Sequence, residues 1–208
     1  YILSATLRTD GSSKFAREKR WGWFPSASIG WNMSNEEFMK DSDVDIKLRM
    51  SYGKTGNQEG IGRYAYQSLL QGGANYKGQS GVVITSQGNK NLTWEKADQY
   101  DIGFDISFLK GRVNTIFDIY QKNTKDLLYN RPVHATTGQS NIKSNIGSIR
   151  NRGIEFTLNT HFIFDKLEWL SQFNISSNKN KVTKLIDNDG QPIAIGSKRA
   201  LQVGKELG

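Results

Sequence analysis

Four carboxylates, Asp101, Asp105, Asp118 and Glu155, stand in segments where every second residue is large and apolar. Paired carboxylates at a suitable separation can serve as acid and nucleophile on a glycosidic bond. Sequence supplies no separation, and acids on adjacent strands have a simpler use. They line a hydrated wall and are bridged there by Lys and Arg, which is the reading adopted. The chain has two histidines, His134 in a loop and His161 on a strand, and nothing in their spacing brings them to one metal. Gly53-Lys54-Thr55 ends like a phosphate-binding loop, but that motif needs a glycine where Leu48 stands. Gly60-Ile61-Gly62-Arg63-Tyr64-Ala65 has the glycine spacing of a dinucleotide fingerprint without the helix that must follow it. Cysteine is absent, which removes thiolate nucleophiles and thiolate metal ligands. No catalysis, cofactor or metal is therefore expected. The residues best suited to holding a ligand are loop aromatics, Tyr64, Tyr66, Tyr76 and Tyr129, whose ring faces can stack on sugars in a vestibule. Their alternative use is to pack the loops together or against a partner.

The elements that must position these residues are strands. Tyr100, Ile102, Phe104, Ile106 and Phe108 alternate with Asp101, Gly103, Asp105 and Ser107. Strict period-two alternation gives a strand one oily and one wet face. The pattern recurs over Tyr1 to Arg8, Trp21 to Met33, Ile46 to Tyr52, Val113 to Tyr120, Ile154 to Phe164 and Leu167 to Ile175. Between these segments long polar stretches (10–20, 55–91, 123–148) take turns with short links: the acidic 34–38, Leu109 to Arg112, and Asp165-Lys166. Ser34 is expected to cap one helical turn in the first of these links. Asn178 to Gly208 reads as loop.

Sorting of connections by length is what an up-and-down membrane barrel shows, with short periplasmic turns and long extracellular loops. A nine-residue segment such as Tyr100 to Phe108, at about 3.4 Å per residue and a tilt of about 40°, rises roughly 23 Å, close to the apolar band of such barrels. Asp101, Asp105, Asp118, Glu155 and His161 then face the lumen, while Trp21, Trp23 and Trp31 face lipid or its interface. A hydrophobic content of 36% and a mean hydropathy of −0.60 do not argue against this, because only alternate residues meet lipid. The net charge of +8 gathers partly at Lys14, Arg17, Lys19 and Arg20. A nucleic-acid partner would need that cluster interleaved with stacking aromatics on one face, so none is expected. A soluble glycan-binding β-sandwich would also alternate, but has no reason to sort its loops.

Several segments together resemble the SusC/RagA-type TonB-dependent outer-membrane transporters of Bacteroidetes. They are residues 8–15 (Arg-Thr-Asp-Gly-Ser-Ser-Lys-Phe), 20–31 with Trp21-Gly22-Trp23-Phe24-Pro25, 47–58 with Ser51-Tyr52-Gly53-Lys54-Thr55-Gly56, 91–95 (Asn-Leu-Thr-Trp-Glu), Gly153-Ile154-Glu155-Phe156 and 203–208 (Val-Gly-Lys-Glu-Leu-Gly). The resemblance implies an all-β, antiparallel transmembrane barrel segment, about seven strands of a roughly 22-stranded parent. Residues 1–208 would all belong to that one barrel domain, with the plug domain and the TonB box outside this chain. It further implies an outer-membrane setting in contact with lipid, a SusD-like surface lipoprotein as lid, and import of oligosaccharides or peptides driven through TonB. The rival at this level is a receptor or adhesin barrel without import.

Overall fold

The computed structural model describes residues 1–185, 193–195 and 199–206. Its main body is one antiparallel sheet of seven strands, in which each sheet strand pairs with the next along the chain. These strands are β1 (Ile2–Gly11), β2 (Trp21–Asn32), β3 (Asp45–Asn57), β6 (Glu95–Phe108), β7 (Val113–Lys125), β10 (Gly147–Phe164) and β11 (Leu167–Leu185). The intervening labels belong to two hairpins inside long connections, β4 (Leu69–Gly72) with β5 (Val82–Ser86) and β8 (Leu128–Pro132) with β9 (Asn141–Asn145).

Register carries the alternation across the whole sheet. Trp31, Leu48, Phe104, Phe117, Phe156 and Ile175 lie opposite one another as a continuous apolar row. One residue along, Gly30, Arg49, Gly103, Asp118, Glu155 and Ser176 form a polar row. A slip by one residue in any pair would exchange the rows, so the two-faced pattern itself pins the register. The β6–β7 link, Leu109 to Arg112, reverses the chain through three successive positive φ angles, at Leu109, Lys110 and Gly111.

The two faces differ in how their side chains are packed. On the polar face Gly22, Gly103 and Gly153 are buried although the sheet is one layer thick, because neighbouring side chains lean over them. On the apolar face side chains of the inner strands stand apart, with Ile102 41%, Met50 42%, Ile119 44% and Ile154 50% exposed. Convergence on one side and divergence on the other mark the polar face as concave and the apolar face as convex. No second sheet covers Phe104, Phe117 or Phe156 among the described residues, which removes the sandwich. No described helix is long and apolar enough to cross a membrane, which says nothing of crossing by strands.

Four expectations are corrected. Strands outrun the alternating segments: β3 continues to Asn57, β7 to Lys125 and β11 to Leu185, and β10 begins at Gly147. Beyond the apolar band both faces are polar, so alternation vanishes while the backbone ladder goes on. The stretch 178–208 is thus partly strand, and within it 186–192, 196–198, 207 and 208 lie outside the described residues. The long stretches 55–91 and 123–148 are not structureless, since each contains a hairpin. Ser34 does not cap a helix. It sits inside the short 3-10 turn Met33–Asn35, and its Oγ accepts the Ile46 amide at 2.7 Å.

Candidate functional site

The concave face holds a charged centre at the level of Gly103. Arg49 reaches across β6 and donates from Nε and Nη2 to both oxygens of Asp105 at 2.8–3.1 Å, and from Nη2 to Asp118 Oδ1 at 3.0 Å. One guanidinium therefore bridges carboxylates from two further strands. The fork geometry of arginine makes this arrangement available, and a lysine could not reproduce it. Gly103 lies between them, and a Cβ there would overlap Asp118 and the Arg49 guanidinium. Two strands away, on β10, Gly153 serves likewise, opposite Tyr120, whose ring covers it.

The other wall residues are placed as follows. Asp101 accepts a 3.3 Å hydrogen bond from Gln99 and is paired in register with Ser51 and Tyr120. Glu155 is exposed beside Asp118, with no ion pair among the described residues. His161 lies near the short-turn end, its Nε2 2.8 Å from Glu168 Oε1. His134 belongs to the β8–β9 link at the opposite end, where its carbonyl accepts from Thr137. No described group of three or more His, Cys, Asp or Glu side chains is arranged to hold a metal. The centre can bind polar groups and carry water. Arg49 is the cation that both Asp105 and Asp118 face.

At the long-loop end the connections fold over the concave face and form their own cores. Phe15, Phe24, Ile61, Leu92 and Trp94 are all buried together. Trp94 packs its ring 5.2 Å from that of Phe15 and 5.6 Å from that of Phe24, and its indole N–H donates to the Arg20 carbonyl at 2.9 Å. A second cluster joins Ile146, Val182 and Leu201. Asn145 ties the connections further: its Oδ1 accepts from the Thr93 amide at 3.0 Å, and its Nδ2 donates to the carbonyls of Thr93 and Asp126. Sequence reasoning missed these contacts, although Phe15, Phe24 and Trp94 each sit in a segment that carried the resemblance.

The four tyrosines do not gather at one point. Tyr129 is half-buried on β8 and packs against the second cluster. Tyr66 is half-buried, whereas Tyr64 and Tyr76 are 57% and 72% exposed. Tyr76 lies in the β4–β5 link with the Lys77 ammonium 5.6 Å from its ring centre. On the convex face Trp21 and Trp23 are exposed, while Trp31 stacks on Tyr1 and donates to Glu36 Oε1 at 2.9 Å. Aromatics with a polar handle at both ends of the convex face form the interfacial girdles of a membrane barrel.

Comparison with known proteins agrees with this architecture. The family described as TonB dependent receptor-like, beta-barrel matches residues 1–206. The chain is 42% identical over 193 residues to TonB-dependent receptor P39 of Formosa agariphila, covering 91% of this chain and 18% of that protein. It is 36% identical over 223 residues to TonB-dependent receptor SusC of Bacteroides thetaiotaomicron, covering 99% of this chain and 22% of that protein. Among solved structures, the RagAB peptide transporter superposes with a TM-score of 0.89 at 28% identity, over 97% of this chain and 23% of that one. The chain thus spans about a fifth of the length of the curated relatives it matches.

Proposed function

Because this chain belongs to the TonB-dependent receptor-like β-barrel family and so to the outer membrane, we propose that it supplies a share of the wall and mouth of an importer for oligosaccharides or peptides. Residues 1–208 belong to one barrel domain in this reading, and the work done on cargo is guidance without covalent chemistry. A SusD-like lipoprotein closes the outer end, and TonB supplies the drive through a region of the receptor beyond this stretch. The observation that carries this reading is the segregation of faces: a convex apolar side for lipid and a concave side of amides, hydroxyls and carboxylates for hydrated cargo. The inner wall then runs through Asp101, Asp105, Asp118, Glu155 and His161, and Tyr64, Tyr66, Tyr76 and Tyr129 offer ring faces at the vestibule.

The β4–β5 hairpin is the natural seat for the lid. Leu70, Val82 and Ile84 lie on one face of this two-stranded ribbon and are 67%, 68% and 50% exposed. An apolar ribbon face without a covering layer suits a protein partner. The test is uptake of labelled oligosaccharides and peptides by cells carrying the full-length receptor, with and without a functional TonB. Accumulation of one cargo class that needs both receptor and TonB is expected. Binding without TonB-dependent accumulation would favour the receptor or adhesin reading. In the same cells Leu70→Glu with Val82→Glu should reduce co-purification of the lid lipoprotein at least tenfold, and unchanged co-purification would move the lid contact elsewhere.

A further inference from the structure

The outermost portion of the convex face, above the apolar band, carries an arrangement that import does not require. On β10 and β11, Arg150 stands directly opposite Lys181 and Arg152 directly opposite Lys179, and these residues share parity with Ile154 and so point outward. Like charges directly opposed across a strand pair repel, and here two such pairs are stacked in succession. Arg152, Lys179 and Lys181 are exposed or nearly so. Each arginine spends Nε on an amide of β7, Arg150 on Asn123 Oδ1 at 3.1 Å and Arg152 on Gln121 Oε1 at 2.6 Å. These bonds orient the guanidinium groups and leave their terminal nitrogens without a protein partner among the described residues. By contrast Lys54 and Lys125, on β3 and β7 at the same end, are both paired to the buried Asp98 at 3.4 and 3.3 Å. Lys54 and Lys125 thus share an ion-pair partner, whereas these four cations have none among the described residues. A recess of about 910 Å³ beside them has Ile102, Ile119 and Ile154 on its apolar side, and its acids are Asp101, on the concave face, and Glu206.

We propose that Arg150, Arg152, Lys179 and Lys181 form a docking site for the phosphates of an outer-leaflet lipid. A cation cluster at the edge of an apolar surface fits a molecule whose acyl chains lie on the isoleucines and whose anionic headgroup sits just above them. Bound phosphate would relieve the two like-charge pairs, and the arginines present forked donors of the kind phosphate oxygens accept. The site depends on the convex face meeting lipid and not on what the lumen carries.

The experiment uses the full-length receptor in neutral detergent and three probes: diphosphoryl lipid A, the same lipid stripped of its phosphates, and inorganic phosphate. Removing two charges in R152Q/K179Q should weaken binding of diphosphoryl lipid A about 30-fold. The stripped lipid should bind wild type as weakly as the variant binds the intact one, and K110Q/K166Q at the short turns should bind like wild type. Competition by inorganic phosphate at a concentration matching the lipid would assign the site to free phosphate and overturn the lipid reading. Equal binding of intact and stripped lipid, or undiminished binding by R152Q/K179Q, would also overturn it. In lipid-free detergent the variant should melt no lower than wild type, because it loses a repulsion; a lower melting temperature would mark the four cations as structural and sink the proposal.

Discussion

Replacing Trp94 by alanine tests whether the loop layer is a packed core or merely loops lying near one another. Trp94 is 4% exposed, touches Phe15 and Phe24 through its ring, and holds the Arg20 carbonyl through its indole nitrogen. Truncating a buried tryptophan costs about 3–5 kcal/mol, combining lost transfer energy with the cavity left behind. The sheet keeps its own backbone ladder, so the loss is expected chiefly in the local equilibrium that opens residues 12–20. At about 1.4 kcal/mol per tenfold, that is at least a roughly hundredfold rise in the open population. Arg17 and Lys19 in this loop are exposed trypsin sites, but the protease needs several residues extended around the bond. Where opening is fast relative to cutting, the cleavage rate tracks the open population. Trypsin treatment of cells displaying the full-length receptor, followed by mass spectrometry, should therefore show cleavage at Arg17 and Lys19 accelerated about a hundredfold or more. Trp94→Phe keeps much of the ring but leaves the Arg20 carbonyl unmet, and should accelerate cutting only about tenfold. Lys77, in the β4–β5 link and outside the cluster, should be cut at the wild-type rate. Equal acceleration at Lys77, or none at Arg17 and Lys19, would refute the reasoning.

Two further outcomes concern the wall. Arg49→Gln removes the cation shared by Asp105 and Asp118; because all three side chains are about one quarter to one third exposed, solvent screening limits the loss to about 1–2 kcal/mol. The urea midpoint of the detergent-solubilised receptor should fall accordingly, and adding Asp118→Asn should recover some of the loss. Gly153→Val puts a Cβ within 2.6 Å of several Tyr120 side-chain atoms and should destabilise by about 1–3 kcal/mol. The same change in a Tyr120→Ala background should cost much less, and an additive double-mutant cycle would show that the ring and the glycine are uncoupled.

Much of the sheet is legible in the sequence, because period-two alternation is local and needs no partner. The tight turns extend that legibility. With Leu109 to Arg112 as the reversal, Phe108 meets Val113, and counting outward places Gly103 opposite Asp118. Arg49 was out of reach. Its strand joins β6 through a connection of dozens of residues, so neither the register of Arg49 against Gly103 nor the bridge to Asp105 follows from spacing. Asp98 was missed for a related reason: it shares parity with the apolar Tyr100 and Ile102, and only the approach of Lys54 and Lys125 shows why an acid stands there. The strand ends above the band were lost because Arg150, Asn151 and Arg152 offer no polarity contrast between faces. The loop cores were lost because Phe15, Phe24 and Trp94 are distant in sequence and meet only once the sheet has brought their loops to one rim.

The two glycines of the concave face also decide how far its largest side chains stand off the sheet. With no side chain at Gly103 or Gly153, the guanidinium of Arg49 and the phenol of Tyr120 recline on the backbone instead of jutting away from it. Any substituent at either position would tilt those groups off the surface they now lie flush against.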